Sequence, residues 1–251
     1  MILSEQELVR YGRQVMLPEW GVEGQEKLKR AKVLVAGAGG LGCPVAMYLA
    51  VAGVGRIRII DGDKVELSNL NRQVLHSDKD IGRRKAESAK EKLESLNGDI
   101  HVEAIAEVIT EENVSDLVAD YPIVDAMDNL AARHLLNKVA VQRGLPLFHG
   151  AVYGFEGRAT TVIPGETACL GCLYQAALPG TAPVVGVAPA VIGCVQAAEV
   201  LKHILGIGDL LANRLLIFDG LGLRFSELKL KRDPGCVVCN PPCDPSSGSV
   251  M

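Results

Sequence analysis

The sequence predicts an α/β protein in which a mostly parallel sheet carries helices on both faces and ends in antiparallel strands. Three observations predict it. Short apolar runs alternate with helical patterns between residues 32 and 149. A glycine cluster, Gly37-Ala38-Gly39-Gly40-Leu41-Gly42, joins the first run to a helix. Two C-x-x-C pairs, Cys169/Cys172 and Cys236/Cys239, lie in the second half. The first two observations make the first half Rossmann-like.

Residues 4–16 read as a helix whose N-cap is Ser4, with Glu7 completing a capping box. A short second helix covers 25–30. Residues 32–36 (KVLVA) are a strand covered on both faces, and 44–52 continue as an apolar helix. A second strand, 56–60, ends at Asp61, and a loop rich in Asp and Asn runs to residue 71. Residues 83–96 form a charged amphipathic helix. Strand signals recur at 100–106, 122–126 and 145–149, with a helix over 130–143. Beyond these, 150–155 and 158–163 read as strands paired around Glu156-Gly157. A Gly/Pro-rich segment, 178–189, reads as a mobile loop and 190–205 as a helix. Segments 214–218 and 223–230 suit a final antiparallel pair, and the tail over 240–251 has a disorder-prone composition.

The chain has 251 residues, 48% of them hydrophobic, enough to bury a substantial core. Aromatics supply only 4%, so Val, Ile, Leu and Ala must build it. A formal net charge of -4 gives no general attraction to nucleic acid or to anionic membrane. No uninterrupted apolar run reaches membrane-spanning length, and the N-terminus lacks the pattern of a secretory signal. The expected location is the cytoplasm, where the seven cysteines serve metal binding or catalysis better than disulfides.

The glycine cluster supplies a sharp turn, close backbone approach to a phosphate and free N–H groups at a helix N-terminus. Gly37, Gly39, Gly40 and Gly42 are therefore candidate nucleotide-binding positions, with Asp61 spaced to bind ribose hydroxyls. The motif alone favours a dinucleotide. The residues beyond Asp61 argue for a triphosphate instead: Ser68-Asn69-Leu70-Asn71-Arg72-Gln73 and then Lys85 place amides and cations past the second strand. Asp125 and Asp128 lie where a strand reaches its C-terminal end, the edge at which ligands collect in open sheets. A carboxylate there suits Mg²⁺, and Asp128 equally suits the N-cap of the helix near Leu130.

Two C-x-x-C pairs together make a tetrahedral Cys₄ zinc site from Cys169, Cys172, Cys236 and Cys239. Four protein ligands leave no open position, so this zinc staples the C-terminal part to the middle of the chain.

These motifs as a set resemble the MoeB/ThiF/HesA family of ubiquitin-activating-type adenylyltransferases. The matching elements are residues 10–14 (RYGRQ), the loop Gly37–Gly42, Asp61-Gly62-Asp63, Asn69 to Gln73, Lys85, Asp125 to Asn129 and both cysteine pairs. The resemblance implies one adenylation domain over residues 1–239, with a nucleotide core near 30–150 and a zinc-stapled, carrier-binding part near 150–239. It implies an ATP- and Mg²⁺-dependent enzyme that adenylates the C-terminal Gly-Gly carboxylate of a MoaD- or ThiS-like sulfur carrier, in molybdenum cofactor or thiamine biosynthesis. In that reading Gly39 and Gly40 line the nucleotide pocket and Asp61 binds ribose. Asn69, Arg72 and Lys85 hold phosphates, with Asp63, Ser68, Gln73 and Asn129 beside them, and Asp128 serves Mg²⁺. Relatives are homodimers, which implies that Arg13 reaches the phosphates of a neighbouring subunit.

One departure matters. Many relatives carry a cysteine after the first C-x-x-C pair, whereas residues 173–193 contain none. Cys43 and Cys194 read as small core residues, Cys243 lies in the tail, and His76 reads as structural or solvent-facing. An adenylation-only enzyme served by a separate sulfurtransferase is expected. The competing readings are a dinucleotide-dependent oxidoreductase, an enzyme adenylating another carboxylate, and a scaffold that has lost ATP. The first leaves Arg72 and the cysteine pairs unexplained.

Overall fold

The computed structural model describes residues 2–174 and 183–240. Within them, eight strands make one sheet in the order β3-β2-β1-β4-β5-β6-β7-β8. The first five are parallel: β1 (Lys32–Ala36), β2 (Arg56–Ile60), β3 (His101–Ile105), β4 (Ile123–Asp125) and β5 (Leu147–Tyr153). Then β6 (Glu156–Val162), β7 (Arg214–Asp219) and β8 (Arg224–Lys229) add on antiparallel. The signals at 145–149 and 150–155 merge into the single strand β5, which forms a hairpin with β6 about Gly154 and Phe155.

Alternation along β1 builds both cores. Val33 and Val35 enter one apolar cluster, with Ile57, Ile59 and Phe148. Leu34 and Ala36 enter the other, with Ile60, Ile123 and Leu147. Successive side chains point to opposite faces, so a strand buried on both sides must be apolar throughout. The first face is covered by α3 (Gly21–Arg30), α4 (Gly42–Ala52), α5 (Lys85–Leu96) and α9 (Val187–Leu205). The second is covered by α6 (Val114–Val118) and α7 (Leu130–Arg143), with α8 (Leu170–Leu173) joined to that core through Leu170.

The N-terminal helix is shorter than expected. Ser4 and Glu7 form the predicted capping box, but the helix breaks at Tyr11 into α1 (Glu5–Arg10) and α2 (Gly12–Val15). Tyr11 is buried, its hydroxyl accepts from Asn97 Nδ2 at 2.8 Å, and its ring fills the space beside Gly53. Tertiary packing of this ring overrides the local helical pattern. Helix α9 starts before residue 190 because Pro189 is tolerated in a first turn. By length and mean hydropathy α9 could cross a bilayer, but Gln196, Glu199 and Lys202 interrupt its apolar run and it packs against α4, β5 and β6. Of the loop expected over 178–189, residues 178–182 lie outside the described residues, while 183–185 bond to Gly154 and 187–189 already belong to α9. The tail after residue 240 lies outside the described residues.

Candidate active site

The strand order reverses between β1 and β4, which opens a crevice at their C-terminal ends. The segments after these two strands are the glycine cluster and residues 126–129. They meet directly: Ala126 N–H donates to Ala36 O at 3.0 Å, and a Cβ on Gly37 would lie 2.7 Å from Ala126 O. Gly37 has φ +102°, and a Cβ on Gly42 would sit 1.8 Å from Gly37 O, so neither position accepts a side chain. Gly39 and Gly40 are the open members: nothing lies closer than 3.3 Å to their missing Cβ atoms. Helix α4 begins at Gly42, directly after this loop; in its first turn Cys43 N–H donates to Gly39 O and Val45 N–H to Leu41 O, and Pro44 has no N–H.

Asp61 ends β2 beside the loop. Its Oδ2 accepts from Ala38 N–H and its Oδ1 from Asp63 N–H, both at 2.8 Å. Burial raises the pKa of its carboxyl despite these two donors, so further hydroxyl donors would find a receptive acceptor. His76 is buried, with Nε2 3.0 Å from Ala38 O and Nδ1 2.9 Å from Ser88 Oγ. A carbonyl only accepts, so Nε2 carries the proton and Nδ1 accepts from Ser88. Burial lowers the pKa of this ring, and the neutral imidazole is a structural brace under the glycine loop.

The cationic side of the crevice comes after β2. Asn69 closes a 3₁₀ turn, its Oδ1 accepting from Glu66 N–H at 3.1 Å, with exposed Ser68 beside it. Arg72 donates to Ser68 O at 2.9 Å, and its Cγ lies 3.5 Å from the Cβ position of Gly40. Gln73 is buried with Nε2 3.6 Å from the Cβ position of Gly39, and its Oε1 has no partner among the described residues. Lys85 starts α5 and pairs with Asp63 at 2.8 Å. The N-terminal end of α9 closes over this group, with Pro189 3.3 Å from the Cβ position of Gly40 and Gly186 packed on Asn71 and Arg72.

Two carboxylates after β4 behave differently. Asp125 is fully buried and bonded to His149 Nδ1 at 2.7 Å, so it is closed to an incoming cation. Asp128 is exposed and forms no ion pair among the described residues, a free carboxylate that suits Mg²⁺. It does not cap α7; Asn129 does, its Oδ1 accepting from Ala132 N–H at 2.8 Å. Arg13 is the candidate the fold keeps apart. Helix α2 packs at the C-terminal end of α4, where Gln14 donates to Ala52 O, about 16 Å along that helix from the glycine loop.

Sulfurs of Cys169 and Cys236 lie 3.6 Å apart, those of Cys172 and Cys239 3.5 Å apart, and all four fall within 4.8 Å of one another. Zinc–sulfur bonds of about 2.3 Å in a tetrahedron separate the sulfurs by roughly 3.8 Å, so this donor set fits zinc. Cys43 is buried, its thiol donating to Ala38 O, and burial pushes its pKa up to about 12. Cys194 differs from expectation: it is exposed, because α9 turns Ile192, Gly193, Gln196 and Ala197 inward and this position out. Cys243 lies outside the described residues.

Sequence reasoning missed Arg133 and His149, which flank Asp125, and Tyr174, which bonds to His149. A histidine inside the apolar run Leu147-Phe148-His149 was the available signal, since such a residue requires a buried partner. Its partners lie 24 and 25 residues away, beyond the reach of spacing arguments.

A family model described as ThiF family matches residues 11–238. This chain belongs to the ThiF family. Its relatives include the sulfur carrier protein adenylyltransferase of Thermus thermophilus, 46% identical over 94% of this chain and 92% of that one. The SAMP-activating enzyme E1 of Haloferax volcanii is 44% identical over 94% and 90%. The mouse protein named adenylyltransferase and sulfurtransferase MOCS3 is 44% identical, over 94% of this chain and 54% of its own length. Among solved structures, E. coli MccB with ATP superposes with TM-score 0.82 at 27% identity, over 92% of this chain and 74% of that chain. As a ThiF-family member with such relatives, this chain is an adenylyltransferase.

Proposed function

We propose that this chain adenylates the C-terminal carboxylate of a ubiquitin-like sulfur-carrier protein ending in Gly-Gly. The carrying observation is the convergence of open glycines 39 and 40, Arg72 and the Lys85–Asp63 pair beside the free carboxylate of Asp128. The names of the two relatives that match over nine-tenths of their length, one a sulfur carrier protein adenylyltransferase, support the substrate class.

In this reading a carboxylate oxygen of the carrier attacks the α-phosphorus of ATP. The bond from that phosphorus to the bridging oxygen breaks, and pyrophosphate leaves with the electron pair. The nucleophile is already ionised near neutral pH, so no protein base is required. The barrier is the approach of one anion to another. Gly37, Gly39, Gly40 and Gly42 shape the phosphate cradle, and Asp61 accepts from ribose hydroxyls. Asn69, Arg72, Lys85 and the neighbouring Ser68, Gln73 and Asn129 face the phosphates. Asp128 would hold Mg²⁺, which neutralises charge on the phosphates when bound. Arg13 of a second copy of this chain completes the site in a homodimer, in keeping with its distance from its own glycine loop. With no cysteine in residues 173–193, sulfur arrives from a separate sulfurtransferase.

The test is carrier-dependent exchange between ATP and labelled pyrophosphate, with the acyl-adenylate detected by mass spectrometry. Arg72→Ala and Asp128→Ala are each expected to lose on the order of 100-fold in exchange. Near-normal exchange in both variants overturns the residue assignment, and its absence with every Gly-Gly carrier overturns the substrate.

A further inference from the structure

A continuous hydrogen-bonded path links the cysteine-rich segment to the turn that carries Asp128. Tyr174 stands two residues after Cys172, at the end of α8. Its hydroxyl lies 2.9 Å from Nε2 of His149. The Nδ1 atom of His149 lies 2.7 Å from Oδ2 of Asp125, and both side chains have no exposed surface. The directions of these bonds are set by chemistry. An ionised carboxylate only accepts, so Nδ1 carries the proton. Burial lowers the pKa of His149, and the ring is neutral. Nε2 is then an acceptor, and the Tyr174 hydroxyl must donate to it.

The path continues past Asp125. Its Oδ1 accepts from Met127 N–H at 3.1 Å. Arg133 Nε donates to Met127 O at 3.1 Å, and Nη2 donates to Gly150 O at 3.0 Å. Gln196 Nε2 reaches Asp125 O and Phe148 O, both at 2.9 Å, which anchors the strand ends from α9. Met127 is therefore gripped at both its N–H and its C=O, and the next residue is Asp128.

We infer that His149 and Tyr174 are positioning residues that hold the Met127–Asp128 turn in register with the cysteine-stapled segment. The inference rests on the adenylation reading for the role of Asp128, but its geometry is independent of that reading. A plain apolar core would fill the same volume. It would not set the orientation of the Met127 peptide, which needs a fixed carboxylate on one side and a fixed guanidinium on the other. Removing the Tyr174 hydroxyl leaves Nε2 of His149 buried without a donor, and the ring becomes free to shift from Asp125.

The test is amide hydrogen exchange in the full chain, resolved at Met127, for wild type, Tyr174→Phe and His149→Asn. The asparagine retains a donor for Asp125 and drops the bond to Tyr174. In both variants Met127 exchange should quicken roughly fivefold or more, while amides of β1 and β2 keep wild-type protection. Carrier-dependent exchange should lose kcat at unchanged KM for the carrier. Met127 protection equal to wild type in Tyr174→Phe overturns the inference, and so does a uniform loss of protection across the sheet. If wild type shows no carrier-dependent exchange, the adenylation reading falls, and the Met127 amide still decides this one.

Discussion

The ammonium of Lys85 lies 2.8 Å from the carboxylate of Asp63, yet the two side chains sit in different surroundings, 8% and 69% exposed. The lysine is a buried cation balanced by one solvated anion. A triphosphate entering the crevice offers a better one. In Asp63→Asn, the nucleotide-free protein should lose about 1 kcal/mol, because the surviving partner is a cation left without its counter-ion. Saturating ATP should then raise Tm by more than it does in wild type. Equal ATP-induced shifts in the two proteins would separate Lys85 from the phosphates.

Gly42 and Gly39 belong to one motif and should fail differently. A methyl group on Gly42 would overlap Gly37 O, at 1.8 Å, so Gly42→Ala forces the loop open and should cost about 4 kcal/mol or more. At Gly39 the nearest atom is 3.6 Å from the added carbon, so Gly39→Ala should fold with near-normal Tm. It narrows the opening through which a phosphate approaches and should weaken ATP binding at least tenfold. Chemical denaturation and calorimetric ATP titration together check the pair.

Zinc should be recovered at one ion per chain from protein purified without chelator. Cys169 and Cys236 are 67 residues apart in sequence, so the metal closes a long loop. Cys236→Ser, or stripping with a strong chelator, should lower Tm by about 10 °C or more while leaving the β1–β4 region folded. Metal content near zero in protein that keeps its wild-type Tm would remove zinc from the site.

Asp80 offers a pH test at a carboxylate that is not among the candidate site residues. Its buried carboxylate accepts from Ser77 Oγ and pairs with Arg83 and Lys92 at 2.8 and 2.9 Å. Burial alone would raise its pKa, but Lys92 and Ser77 outweigh it and hold the group well below the usual carboxylate range. A depressed folded-state pKa means that this stabilisation is complete above about pH 4 and is lost as the pH falls below that. Asp80→Asn should lower stability at pH 7 and flatten the acid limb of the stability curve. An unchanged slope between pH 4 and pH 2 would contradict this assignment.

Much of the crevice at the sheet edge was legible in the chain because its parts are local. The span from Val33 to Gly42 holds a strand, a turn and a helix start, and each has a signature within a few residues. The capping box at Ser4 and Glu7 is local in the same way. Local pattern misled where a distant group intervened. Tyr11 interrupts a helical sequence because Asn97 and Gly53 receive its side chain, and Cys194 faces outward because the apolar face of α9 lies on its other side.

The sequence by itself determined the parallel core, the glycine cluster, the basic segment after Asp61 and the two cysteine pairs. Each rests on residue type and short spacing, which act before the chain has a shape. Only tertiary structure decided which carboxylate is free. Asp125 and Asp128 differ by three positions, yet one is sealed between His149 and Arg133 and the other meets solvent. Burial and hydrogen-bond partners separate them, and both come from strands and helices brought together across the sheet.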